Sequence, residues 1–397
     1  MSNRIKPFSL DQEINRRDVP ALKLHPRVLG QNSEDLFAGG VADMDFAAPP
    51  VVLDALQKRL NHGVFGYEAL PDGLVPSLVQ WLSKRHNWEV DPSYILRAPN
   101  VLNALAIAAS LFAKEGEGII IQPPVFFDFF DILRENNRVL IPNPLILEND
   151  HYRMDFHDLE QKASDPRTKM IFLCNPHNPV GRVWSKKELQ TLGDICAHHN
   201  VLVVSDEIHG DITLSGHKYT PFASLGSDYA SNCITCLSPA KSFNLASCCS
   251  AFTVITNDEK RKRFQIENSR LTVNKNNAFS NVAMEAAYVD GEAWLDEVLK
   301  YLEGNVRLVR TYLKSTPVIQ LIEPEGTFLL WLDFRNLGMS PDNLMKFLRD
   351  DAKWAVTRGH AFGAEGAGFA RVNIACTHAK LEAALNQLVN AVSRLSV

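Results

Sequence analysis

Residues 170–209 read MIFLCNPHNPVGRVWSKKELQTLGDICAHHNVLVVSDEIH. Met170–Cys174 is a short unbroken apolar run, the signature of a strand buried on both faces. Asn-Pro, Asn-Pro and Gly then punctuate a loop. Ser185-Lys186-Lys187-Glu188 is a capping box, in which serine and glutamate each satisfy the other's backbone N–H, and it opens a helix predicted to run to about His199. A second apolar run, Val201–Ser205, follows at once. Strand, helix and strand in this order form a βαβ unit, so the two strands are expected to be parallel.

The same alternation extends outward from about residue 95 to 255, which predicts an α/β fold with a mostly parallel central sheet. From about 291 the pattern changes. GEAWLDEVLKYLEGNVRLVRTYL reads as a long amphipathic helix. It is followed by a strand-like TFLLWLDF, a helix SPDNLMKFLRDD and a strand-like ARVNIAC. The expected organisation is a large domain over 46–290 and a smaller α/β domain from 1–45 together with 291–397.

Composition narrows the function classes. The chain has 397 residues, 46% hydrophobic and 22% charged, with a net charge of −5, which is ordinary globular usage. Nucleic-acid binding is not expected, because it needs clustered Lys and Arg to neutralise phosphates. The RKRF run at 261–264 reads as the solvated face of a helix. No apolar run is long enough for a membrane span, and the first residues lack the apolar core of a signal peptide. Seven cysteines without secretory features suggest reduced thiols in the cytoplasm. Cys233 and Cys236 lie in an apolar, β-branched run and read as buried strand residues rather than a metal pair; no metal is expected. Cys248 and Cys249 read as small packing residues near a lysine loop.

In open parallel sheets, ligands sit beyond the carboxyl ends of the strands. Gly118–Ile121 is followed by QPPVFF, which carries Phe126. Met170–Cys174 is followed by NPHNPVG, which carries Asn178. The next run delivers Asp206 and His209, and Cys233–Leu237 leads into Ser238-Pro239-Ala240-Lys241. One rim therefore collects an aromatic plate, an amide, a carboxylate, an imidazole and an amine. A lysine amine condenses with carbonyls to a Schiff base, the link used by pyridoxal 5'-phosphate (PLP). That cofactor also needs a carboxylate at its pyridine nitrogen, a role suited to Asp206. Asn178 and His209 can reach the ring's phenolic oxygen, and Phe126 can stack on the ring. Ser238, with the main-chain N–H groups of Val101 and Leu102 at a helix start, can hold the phosphate. No GxGxxG follows a strand, which argues against a nicotinamide enzyme.

With these residues in place, the chain resembles fold type I PLP enzymes of the aminotransferase class I/II superfamily. More narrowly, it is similar to the MalY/PatB group of cystathionine β-lyases (C–S lyases). The resemblance covers nearly the whole chain. It is carried by VADMDF (41–46), FGYEALPDG (65–73), IQPPVFFDFF (121–130), CNPHNPVGRVW (174–184), VSDEIHGDI (204–212), SPAKSFNLAS (238–247), GEAWLDEVLKYLEGN (291–305), PEGTFLLWLDF (324–334) and ARVNIAC (370–376). It implies that Lys241 carries the cofactor and that Asp206 pairs with the pyridinium nitrogen. It implies that Tyr67 reaches the phosphate from the partner subunit of a homodimer with shared active sites. Arg371 would hold the substrate α-carboxylate in a bidentate fork, with Asn178 and Ala42 also at the substrate. Three positions depart from the pattern. Phe126 stands where tyrosine is usual, which keeps stacking and removes a phenol. Asn100 and Ser247 stand where glycine is frequent, and asparagine tolerates left-handed backbone. The expected activity is cleavage of L-cystathionine or another cysteine S-conjugate to a thiol, pyruvate and ammonia. An aminotransferase and a PLP-fold regulatory or binding protein with little catalysis are the alternatives.

Overall fold

The computed structural model describes residues 8–31 and 33–395. Its centre is a seven-stranded sheet. The strands are β1 (Ile95–Ala98), β2 (Gly118–Ile121), β3 (Val139–Pro142), β4 (Thr168–Cys174), β5 (Leu202–Asp206), β6 (Cys233–Leu237) and β7 (Ala251–Val254), in the order β1-β7-β6-β5-β4-β2-β3. All neighbours pair in parallel except at β7, which runs antiparallel to both β1 and β6.

The capping box forms as expected. Ser185 Oγ accepts from the Glu188 N–H at 3.2 Å, and Glu188 Oε2 accepts from the Ser185 N–H at 2.8 Å. The helix it opens spans Lys186–His198 and connects the parallel pair β4 and β5. It buries Leu189, Leu192 and Ile195 in a cluster with Ile171, Leu173 and Val203. Each such leucine contributes about 1.5–3 kcal/mol. The alternate residues Phe172, Cys174 and Val204 face the other side, against Ala104, Leu105 and Ala108 of the helix Val101–Phe112. Burial on both faces is why these strands read as continuous apolar runs.

The second apolar run sits one residue later than its sequence reading. The strand is Leu202–Asp206, so Asp206 is its last residue rather than a loop residue behind it. No helix follows Asp206; its Oδ1 accepts from the Ile208 N–H at 3.1 Å in a tight turn.

Towards the C-terminus, the helix Glu292–Lys314 leads into a four-stranded antiparallel sheet. Its strands are β8 (Gln320–Ile322), β9 (Leu329–Asp333), β10 (Thr357–Arg358) and β11 (Phe369–Asn373), in the order β8-β9-β11-β10. The helix Pro341–Asp350 lies between β9 and β10. Arg371 sits in the middle of β11, opposite Trp331 and Thr357. The RKRF run lies in the helix Asp258–Arg270; Phe264 turns inward while Lys262 and Arg263 stay exposed. Cys233 and Cys236 are buried on β6. Among the described residues no helix is long and apolar enough to cross a membrane.

Candidate active site

A cavity of about 240 Å³ opens beyond the carboxyl ends of the central strands. Phe126, after β2, and Asn178, after β4, line it together with Asp206, His209, Ser238 and Lys241 from β5, β6 and the turns that follow them. Ala42, Val101 and Leu102 complete the contribution of the residues singled out from sequence. Gly181 shapes the Asn178 loop. Its φ is +75°, which favours glycine, and a Cβ there would crowd Pro324 Cα at 3.2 Å.

Lys241 Nζ donates to the Ala42 carbonyl at 2.6 Å. Burial, helped by the Arg371 charge, lowers its amine to about 8. Burial likewise pushes the Asp206 carboxyl up to about 6, against the opposing pull of the Ile208 N–H and the Lys241 charge. Burial and the two nearby cations hold His209 well below its usual range, so its ring is neutral. His209 Nδ1 is buried with no protein partner.

Arg371 is only 2% exposed. Its Nη1 donates to Asn178 Oδ1 at 3.1 Å, and its Nη2 donates to the Gly40 carbonyl at 2.8 Å and to Thr357 Oγ1 at 3.3 Å. Its Nε has no partner. The guanidinium does not line the cavity directly; it reaches the site through Asn178.

Ser238 Oγ donates to the Ser250 carbonyl at 2.8 Å and accepts from the Ala240 N–H at 3.2 Å. Donating to a phosphate would require its hydroxyl to rotate. Asn100 corrects one expectation. Its φ of −159° is extended backbone, so no left-handed tolerance is involved, and the residue caps the helix Val101–Phe112 by accepting from the Asn103 N–H at 2.8 Å. Tyr67 lies away from Lys241. It is fully exposed and lines a separate groove with Arg59, Val282 and Val289.

Sequence reasoning did not foresee how the segment 39–46 is held. Besides the bonds from Arg371 and Lys241, Asn373 Nδ2 donates to the carbonyls of Val41 and Asp43, and Asn244 Nδ2 donates to those of Met44 and Phe46. Arg16 and the buried Lys23 both pair with Asp43 and Asp45. Burial opposes ionisation of Asp45, but Lys23 and Lys380 outweigh it and bring the carboxyl down to about 2. The bonds from Asn373, Asn244, Arg371 and Lys241 run to main-chain carbonyls, which leave no residue-type signature.

Residues 38–388 match the family described as "Aminotransferase class I and II". The chain is 40% identical over 354 residues to cystathionine beta-lyase PatB of Bacillus subtilis, covering 89% of this chain and 92% of that protein. It is 32% identical to Protein MalY of Escherichia coli, with 90% and 92% covered. Among solved structures, cystalysin from Treponema denticola, which contains a pyridoxal 5'-phosphate cofactor, superposes with a TM-score of 0.94 at 32% identity, covering 98% of this chain and 100% of that one.

Proposed function

The chain belongs to the aminotransferase class I and II family, and we propose that within it the protein works as a PLP-dependent C–S β-lyase on L-cystathionine or another cysteine S-conjugate. The observation that carries this reading is the convergence of Lys241, Asp206 and the Asn178–Arg371 pair on one cavity.

The residues fit the cofactor on their own chemistry. A buried carboxylate whose one hydrogen bond comes from a backbone N–H suits a protonated ring nitrogen. A neutral imidazole with an unpartnered nitrogen and the amide of Asn178 suit the ring oxygen, and Phe126 suits the ring face. The start of the helix Val101–Phe112 offers N–H groups and a positive dipole end to the phosphate. When bound, PLP supplies an electron sink for negative charge at the substrate α-carbon.

This chain's residues do the rest. Arg371 and Asn178 grip the α-carboxylate and fix which α-bond faces Lys241. Lys241, with its amine near neutrality, takes the α-proton as general base. Asp206 keeps the ring nitrogen's proton in place. The bond from the β-carbon to sulfur breaks with its electron pair going to sulfur, and one water is consumed overall. The products are a thiol, pyruvate and ammonia.

The test is PLP-loaded protein incubated with L-cystathionine and no keto acid. Pyruvate and thiol are expected in equal amounts over many turnovers. Amino transfer that requires a keto acid and outpaces pyruvate release would replace the lyase reading with the aminotransferase one.

A homodimer completes the proposal. Val64, Tyr67 and Val289 are exposed and line a groove of about 950 Å³ between the helices Pro50–His62 and Ala278–Asp290; Leu60 and Phe65, from the same stretch of chain as Val64, are exposed as well. Such a patch on a polar-rimmed surface marks an interface. In that assembly Tyr67 reaches the partner's phosphate site. Sedimentation equilibrium should give twice the 44.4 kDa chain mass; a monomeric, fully active protein would rule the shared site out. Seven free cysteines suit a reducing compartment, the cytoplasm.

A further inference from the structure

Behind the cavity, three side chains converge on one carboxylate. Asp211 accepts from Ser242 Oγ at 2.6 Å and from Trp81 Nε1 at 2.9 Å, and its Oδ1 lies 2.7 Å from His86 Nε2. Burial works against the charge on Asp211, but the bonds from His86, Ser242 and Trp81 outweigh it and keep the carboxyl below its usual range. A hydroxyl on a carboxylate in such surroundings is short and charge-assisted.

The positions of the two partners give this bond its meaning. Asp211 stands five residues after Asp206 and two after His209, while Ser242 directly follows Lys241. β5 and β6 are held in register by their ladder only as far as the Glu207 N–H, which donates to the Cys236 carbonyl at 3.0 Å. Beyond that point both chains are irregular turns. Among the described hydrogen bonds, Asp211 to Ser242 is the one that ties the turn after β5 to the lysine turn. It is also anchored from behind. Trp81 and His86 belong to the helix Leu74–His86, and the Trp81 ring packs edge-on against Phe243 at 5.4 Å. One helix thus braces both turns.

We propose that Asp211 and Ser242 are positioning residues, whose hydrogen bond sets the separation of Lys241 from Asp206 and His209 across the cofactor ring. This rests on the PLP-lyase reading. The cofactor is rigid, so its two ends need partners at a fixed distance. The lysine amine must then stand over the α-carbon, where a displacement of about 1 Å costs up to about 100-fold in rate. Neither residue lines the cavity on the substrate side.

The experiment uses full-length, PLP-loaded Ser242→Ala, Ser242→Thr and Asp211→Asn. Visible absorbance and induced circular dichroism of the bound cofactor are recorded, with kcat and KM referred to cofactor content. For Ser242→Ala the expectation is that cofactor still binds, induced ellipticity falls by about half or more, and kcat per bound cofactor falls about 10- to 100-fold with KM changed less than about threefold. Ser242→Thr, which keeps the hydroxyl, should restore both signals. Asp211→Asn keeps the shape and one acceptor oxygen, so it should lie between the two. If Ser242→Ala does not fold, the Asp211→Asn and Ser242→Thr pair decides the matter. Unchanged ellipticity and kcat per bound cofactor, even with a lower melting temperature, would make the link merely structural and overturn the proposal. A wild-type protein that shows no visible cofactor band would instead overturn the PLP reading beneath it.

Discussion

Lys241→Ala is expected to lower pyruvate release from L-cystathionine by about 10³-fold or more, since a positioned general base alone contributes about 10²- to 10⁴-fold and on the proposed reading this residue would also be the covalent anchor. The structure explains why no neighbour can substitute. Burial and the nearby cations hold the His209 imidazole well below its usual range, which makes it a weak base, and it lines the cavity beside the strand-end Asp206. Asp206 would be committed to the cofactor nitrogen. The remaining basic side chain is the guanidinium of Arg371, which burial lowers only to about 9 and which the substrate carboxylate would hold. The variant should still bind PLP, but reversibly, so that dialysis removes it. A related expectation concerns the wild-type chain freed of cofactor. An amine attacks an aldehyde only when unprotonated, and the amine here titrates near 8. The rate of PLP uptake, followed by visible absorbance, should therefore rise with pH and level off above about 8 rather than above the pKa of about 10.4 for a free lysine. A Lys241→Ala protein that retained more than a few per cent of turnover would remove Lys241 from the reaction.

How much of this was legible in the sequence follows from which interactions are local. The βαβ unit at 170–209 was readable because capping boxes and apolar runs act over three to ten residues. Strand-end residues were readable because a parallel sheet delivers whatever follows each run to one rim. Asp206 shows the limit of that reading: one residue of extra strand moves it from loop to strand end. Asn100 shows another. A glycine-like backbone was expected, yet the chain is extended there and the side chain serves as a cap. The Asp211–Ser242 bond joins residues 31 positions apart, and the tie from Asn373 to Val41 spans 332. Their partners are often main-chain carbonyls, so nothing in residue type or spacing announces them. The fold was carried by local signals and the site's residues by their position on the rim. What holds those residues at their mutual distances is tertiary.

Arg371→Ala is expected to raise KM for L-cystathionine about 30- to 4,000-fold, because removing one partner of a buried charge pair costs roughly 2–5 kcal/mol and each 1.4 kcal/mol is about tenfold. The guanidinium is buried and bonded to an amide oxygen, a carbonyl and a hydroxyl, none of them charged. The acid whose charge it feels is Asp128, and the two do not form an ion pair among the described residues. Burial without a counter-charge is costly, which is what drags its pKa down. A substrate carboxylate would supply the missing charge, so part of the cost of burying Arg371 is returned when substrate binds. Lysine at this position should not rescue the variant, because a point charge cannot hold Asn178 and a carboxylate in one plane as the guanidinium fork does. The decisive comparison is between L-cystathionine and an S-substituted cysteamine, which has the same carbon–sulfur bond region without the α-carboxylate. Wild type and Arg371→Ala should bind that analogue equally, as a competitive inhibitor or in the visible spectrum of the loaded enzyme. If the variant instead weakened both ligands alike, Arg371 would be supporting the shape of the cavity through Asn178 and the segment at Gly40, not recognising the carboxylate.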